Sequence, residues 1–221
     1  MTKSEVQERI VEIGIVPVVR AASAEQAILA AEAVATGGIP IVEITMTVPG
    51  AIEVITQLTR SVGSQVLIGA GTVLDAATAA RCLEAGAEFL VSPGFDLRTV
   101  QLAQQHGKLM MAGALTPTEV ITAYQAGSDF VKIFPCGSVG GPAYIRALKS
   151  ALPHIPMVPT GGVNITTAAE FLRAGVSALG IGGELVSRAE LEAGNVSAIA
   201  AAARRFAAIV SETRRSQVQT A

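Results

Sequence analysis

Two charged side chains sit where a charge is costly. Lys132 lies within Phe130-Val131-Lys132-Ile133-Phe134 and Glu43 within Ile41-Val42-Glu43-Ile44, each in the middle of an apolar, strand-forming run. Burying either charge alone is unfavourable, so each needs a partner or a use. A lysine ammonium with its ordinary pKa of about 10.4 is deprotonated in only about one molecule in a few thousand at pH 7. Removal from water disfavours the charged form, and a desolvated lysine amine can attack a ketone to form a Schiff base. A carboxylate beside it stabilises the ammonium, which couples the two titrations, and supplies the general base that imine chemistry requires. The competing reading is a structural ion pair, or two charges turned to a solvated edge.

Further candidates stand at the ends of apolar runs. Arg20 follows Val16-Pro17-Val18-Val19 and suits a substrate carboxylate, or else a surface carboxylate such as Glu25. Thr72, in Gly69-Ala70-Gly71-Thr72, offers a hydroxyl donor. Two glycine-rich turns, Pro159-Thr160-Gly161-Gly162-Val163-Asn164 and Gly180-Ile181-Gly182-Gly183, let backbone N–H groups approach a phosphate, although either alone is also an ordinary tight turn. Cys136 reads as a packing thiol. Gly69-Ala70-Gly71 lacks the third glycine of a dinucleotide fingerprint, and no His or Cys cluster has metal-ligand spacing, so no cofactor and no metal is expected.

The elements that must carry these residues are marked by glycine. Gly38, Gly63, Gly86, Gly107, Gly127 and Gly175 each close a helix-like stretch and precede a short apolar run. A left-handed glycine ends a helix, so each reads as a hinge into the next strand, and Pro153 does the same within the one double-length gap. Eight strands follow, near residues 15–20, 39–45, 66–70, 88–92, 108–112, 129–134, 156–160 and 178–182. Eight alternations of strand and helix in one domain of residues 1–221 favour a closed (β/α)8 TIM barrel over an open sheet. An extra amphipathic helix is expected at about 3–13, and a polar, frayed tail at about 212–221.

Inside a barrel the parity of each strand turns Lys132 and Glu43 inward, with Val131, Ile133, Val42 and Ile44 toward the helices. Strands 2 and 6 lie opposite each other in an eight-strand ring, so the two charges can meet near the axis. Arg20 stands at the C-terminal mouth, where active sites of this fold lie, whereas His106 and His154 fall on the opposite face.

Composition narrows the partners. The 221 residues carry 16 basic and 18 acidic side chains, a net charge of -2 with no basic block, which argues against nucleic acid. The longest uncharged stretch, 150–169, holds Pro153, Pro156, Pro159, Gly161 and Gly162, so no membrane span is expected. Two cysteines build no disulfide framework, and a cytoplasmic location is the expectation.

Taken together, Val42-Glu43-Ile44-Thr45, Gly69-Ala70-Gly71-Thr72-Val73, Val91-Ser92-Pro93-Gly94, Val131-Lys132-Ile133-Phe134-Pro135 and Pro159-Thr160-Gly161-Gly162-Val163 resemble the 2-keto-3-deoxy-6-phosphogluconate (KDPG) and 4-hydroxy-2-oxoglutarate (KHG) aldolases. The likeness runs from about residue 15 to 186. It implies a class I lyase in which Lys132 forms the Schiff base, Glu43 is the general acid/base, and Thr72 binds carboxylate. It further implies that Pro93, Phe134 and Thr160 contact substrate, that Gly161, Gly162, Gly182 and Gly183 hold phosphate, and that the chain is a homotrimer. The products would be pyruvate and an aldehyde such as glyceraldehyde 3-phosphate.

Two departures stand out. Members with an arginine just after strand 2 differ from this chain, which has Met46 and Thr47 there and matches those with an arginine ending strand 1. Many carry a serine in the strand 8 turn, where this chain has Gly183 and Glu184, and an inward carboxylate there would repel phosphate. Two other functions fit the residues. One is a phosphosugar isomerase or epimerase with Lys132 as a fixed charge, and the other a non-catalytic barrel that binds a phosphorylated metabolite.

Overall fold

Each expected strand forms. The computed structural model describes residues 1–62 and 65–219. It contains β1 (Ile15–Val19), β2 (Ile41–Thr45), β3 (Leu67–Gly71), β4 (Phe89–Val91), β5 (Leu109–Ala114), β6 (Phe130–Ile133), β7 (Met157–Pro159) and β8 (Leu179–Ile181). Adjacent strands pair in parallel in the order β7-β6-β5-β4-β3-β2-β1-β8, and a Thr160–Gly180 bridge joins the two ends of the sheet. The result is a (β/α)8 barrel. Its strands are buried along their whole length because helices cover one face and the barrel interior the other.

The helices alternate with the strands: α2 (Ala24–Thr36), α3 (Ala51–Val62), α4 (Ala76–Glu84), α5 (Leu97–Gln105), α6 (Pro117–Gln125), α7 (Pro142–Ala151) and α8 (Ala168–Arg173), then a short α9 (Arg188–Glu192) and the long α10 (Val196–Gln219). Of the glycines read as hinges, Gly38, Gly86, Gly107, Gly127 and Gly175 all have positive φ, whereas Gly63 lies outside the described residues. At the first of these, Gly38 N–H donates to Ala35 and Ile39 N–H to Val34, which satisfies the last carbonyls of α2 before the chain enters β2.

Ahead of β1, α1 (Lys3–Ile13) opens with a capping box between Thr2 and Glu5 and buries Val6 and Ile10. Lys3 pairs with Asp129 at 2.8 Å, just before β6, and Arg9 donates to the Pro40 carbonyl at 3.3 Å, just before β2. The helix therefore covers the N-terminal end of the barrel. The tail differs from expectation: residues 212–219 continue α10 rather than fray, and Arg214 donates to the carbonyls of Glu12 and Val11 at 2.6 Å each. Those bonds satisfy the free carbonyls at the end of α1, a contact between segments some two hundred residues apart.

Strand register sets the levels inside the barrel. Val18, Glu43, Gly69 and Phe89 are partners in turn across β1 to β4, and Gly113, Lys132 and Val158 across β5 to β7. Paired residues on parallel strands point to the same face, so these rows line the interior together.

Candidate active site

Lys132 and Glu43 are brought together as strand parity requires. They come from β6 and β2, are 5% and 2% exposed, and place Nζ 3.9 Å from Oε1. That separation is an ion pair but too long for a hydrogen bond. Glu43 Oε1 is buried and makes no hydrogen bond among the described residues. Buried acceptors are nearly always satisfied, so the unbonded carboxylate oxygen beside a buried amine makes this pair the leading candidate for a functional centre. Burial pushes the Glu43 carboxyl above its ordinary value of 4.5, while Lys132 and then Arg20 pull it down. The ring of Phe134 lies 5.6 Å from Lys132 Nζ, within cation–π range.

Around this pair the other candidates stand at the C-terminal ends of the strands. Arg20 directly follows β1, whose last carbonyl, that of Val19, accepts from Thr45 Oγ1 at 3.0 Å. Its guanidinium is exposed and acts electrostatically on Glu43, and among the described residues it has no ion-pair partner, so the Glu25 pairing does not form. A cavity of about 170 Å³ beside it is lined by Ala21, Ala22, Gln26, Arg188 and Leu191 as well.

Thr72 has φ 56°, a left-handed conformation rare for a β-branched residue. Flanking bonds hold it there, from Met46 N–H to the Gly71 carbonyl at 2.8 Å and from Val73 N–H to the Val91 carbonyl at 3.1 Å. Strain of this kind concentrates at functional sites.

Pro93 sits in the turn after β4. Ser92 Oγ donates to the Gly94 carbonyl at 2.6 Å and accepts from Gly113 N–H at 3.4 Å, which folds the turn onto the strand beside Lys132. Thr160, 5% exposed, links β6 and β7: its N–H donates to the Ile133 carbonyl at 2.9 Å and its carbonyl accepts from Cys136 at 3.0 Å. Gly161 and Gly162 follow with φ 83° and 80°, and the Gly182 carbonyl accepts from Leu185 and Val186 N–H at 2.9 Å each. The two glycine turns leave neighbouring strands and so are adjacent on the rim. Gly183 and Glu184 are exposed.

Of the residues set aside in the sequence, the two histidines lie in helix-end and surface contacts, and Cys136 meets the cluster only through its backbone bond to Thr160. His106 Nδ1 is bonded to the Leu102 carbonyl at the end of α5, and His154 packs edge-on to Tyr124 with centroids 5.6 Å apart. Cys136 is fully buried, with its thiol pushed up to about 11 by desolvation. One residue the sequence did not single out lies against Glu43. A Cβ at Gly71 would lie 2.5 Å from Glu43 Cγ and closer still to Cδ and Oε1. The sequence signal for it was a glycine in β3, but only the Thr45–Gly71 register brings it alongside the acid.

The fold that carries these residues is a (β/α)8 barrel. The family model of KDPG and KHG aldolases matches residues 6–202, and the chain belongs to that family. It is 35% identical over 204 residues to a 2-dehydro-3-deoxy-phosphogluconate aldolase of Treponema pallidum, covering 92% of this chain and 96% of that one. It is 32% identical to a 2-dehydro-3-deoxy-6-phosphogalactonate aldolase of Escherichia coli, covering 79% and 85%. Among solved structures, the KDPG aldolase of Legionella pneumophila with pyruvate captured as a covalent carbinolamine superposes with a TM-score of 0.84 at 27% identity, covering 90% of this chain and 97% of that one.

Proposed function

We propose that the chain reversibly cleaves a 2-keto-4-hydroxy acid to pyruvate and an aldehyde through an imine on Lys132. The observation that carries this reading is the buried pair 3.9 Å apart at the mouth of the barrel, with an unbonded carboxylate oxygen facing the amine. Lys132 Nζ adds to the C2 carbonyl and water leaves, giving a protonated imine. The Glu43 carboxylate takes the C4 hydroxyl proton, the C3–C4 bond breaks into that electron sink, and the aldehyde departs. Glu43 returns its proton to C3 of the enamine, and hydrolysis frees pyruvate and the amine.

In this scheme Arg20 and Thr72 hold the substrate carboxylate, and Pro93, Phe134 and Thr160 form the walls. The backbone of Gly161, Gly162, Gly182 and Gly183 takes the phosphate of KDPG, whose aldehyde product is glyceraldehyde 3-phosphate. The names of the relatives and the two left-handed glycines after β7 support the phosphorylated substrate. We also propose a homotrimer, as the family likeness implies.

Borohydride reduction with pyruvate tests the covalent step. A pyruvate-sized mass gain on Lys132 is expected, and Lys132→Arg, which keeps the charge but forms no imine, loses both the adduct and turnover. An unmodified Lys132 in the parent protein, or an active Lys132→Arg, contradicts the scheme.

A further inference from the structure

Glu43 needs space on the inner wall that no ordinary side chain on β3 would leave. Glu43 is in register with Gly69 and Thr45 with Gly71, and the Glu43 carboxyl group occupies the volume that a Cβ on residue 71 would fill. Alanine at 71 faces no backbone penalty, because Gly71 is absent from the positive-φ residues. The closest conflict is therefore with the Glu43 side chain: the three nearest atoms to the added Cβ are its Oε1, Cδ and Cγ. At the other end of the gap, Oε1 is 3.9 Å from Lys132 Nζ without a hydrogen bond. The acid is held by shape on one side and by a single ion-pair contact on the other.

We propose that Gly71 is a positioning residue for the proton transfers, its missing side chain seating the Glu43 carboxyl against β3 and off the amine. This inference rests on the Schiff-base reading above. With alanine at 71 the carboxyl must swing toward the axis, where it crowds Lys132 and the reacting atoms. The two catalytic steps should then separate. Imine formation with pyruvate tolerates a misplaced acid, whereas exchange of the pyruvate C3 hydrogens with solvent, which needs the acid at C3, does not.

The test compares Gly71→Ala in the parent and in a Glu43→Ala background, reading borohydride trapping of pyruvate by mass, C3 deuterium exchange by NMR and the unfolding midpoint. In the parent background, Gly71→Ala should slow exchange by about a hundredfold or more, the range that a general acid–base contributes, while trapping persists. In the Glu43→Ala background, where the colliding atoms are gone and exchange is already lost with the acid, the same substitution should change trapping by no more than about twofold and should not lower the unfolding midpoint, as expected for two residues acting through one contact. Equal losses of trapping or of unfolding midpoint in both backgrounds, or normal exchange in Gly71→Ala, overturn the proposal. If Gly71→Ala alone fails to fold, recovery of the fold in Glu43→Ala/Gly71→Ala supports it, and an equally unfolded double variant overturns it. Absence of trapping in the parent protein instead defeats the Schiff-base reading itself.

Discussion

At Glu43, burial and neighbouring cations act in opposite directions on one carboxyl group. Desolvation is the larger influence and raises its pKa above 4.5, with Lys132 and Arg20 opposing it. A base that accepts the C4 hydroxyl proton must be ionised, so activity should rise with pH through that raised value. The acidic limb of the kcat/KM profile is expected above pH 4.5, and Glu43→Gln should remove it and lower kcat by about 10²–10⁴ while pyruvate trapping on Lys132 persists. An unchanged limb in Glu43→Gln would assign the acidic group elsewhere. Both members of the pair were legible in the sequence because a charge in the middle of an apolar run has few explanations. Gly71 and the left-handed turn at Thr72 were not, since their meaning depends on which strand pairs with β2 and in what register.

Among the elements, one pattern recurs. Arg20, Thr72 and Pro93 each precede by three residues a helix N-cap, namely Ser23, Asp75 and Asp96, whose side chain accepts from the backbone N–H three residues further on. Each short loop is thus pinned at one end by its strand and at the other by a cap, and the candidate residue has little freedom between them. Asp96 also accepts from the hydroxyl of Thr99, which is fully buried, at 2.6 Å. Asp96→Ala should cost about 1–2 kcal/mol by denaturant unfolding, from the lost cap and the stranded hydroxyl. It should also raise KM through the loosened Pro93 turn, with trapping on Lys132 intact. An unchanged KM would detach Pro93 from substrate binding. Punctuation by six glycines and Pro153 located β2 to β8, but not their limits: β5 runs on to Ala114, and β3 ends at Gly71 rather than at 70. The tail was misread because its polar composition fits a frayed end, and only the carbonyls at the end of α1 give Arg214 a reason to stay.

For the whole molecule, chemistry and structural support are divided between the two ends of the barrel. The mouth holds the candidate site, and the other end is covered by α1 and fastened by the Lys3–Asp129 pair. The barrel itself was legible from the count of alternations, whereas the association of copies came from family likeness alone, because a surface leucine in a sequence does not say what it meets. Sedimentation equilibrium should give three times the 22.5 kDa chain mass. A species of single-chain mass at assay concentration would remove the trimer from the proposal.

The contact of Arg214 with α1 has a practical corollary. It draws the far end of the last helix to the floor of the barrel, next to where the first helix hands over to β1. A tether joined at the end of α10 should therefore leave from the side facing away from the opening, and a scaffold fused there is expected to leave the path of small molecules to the interior clear.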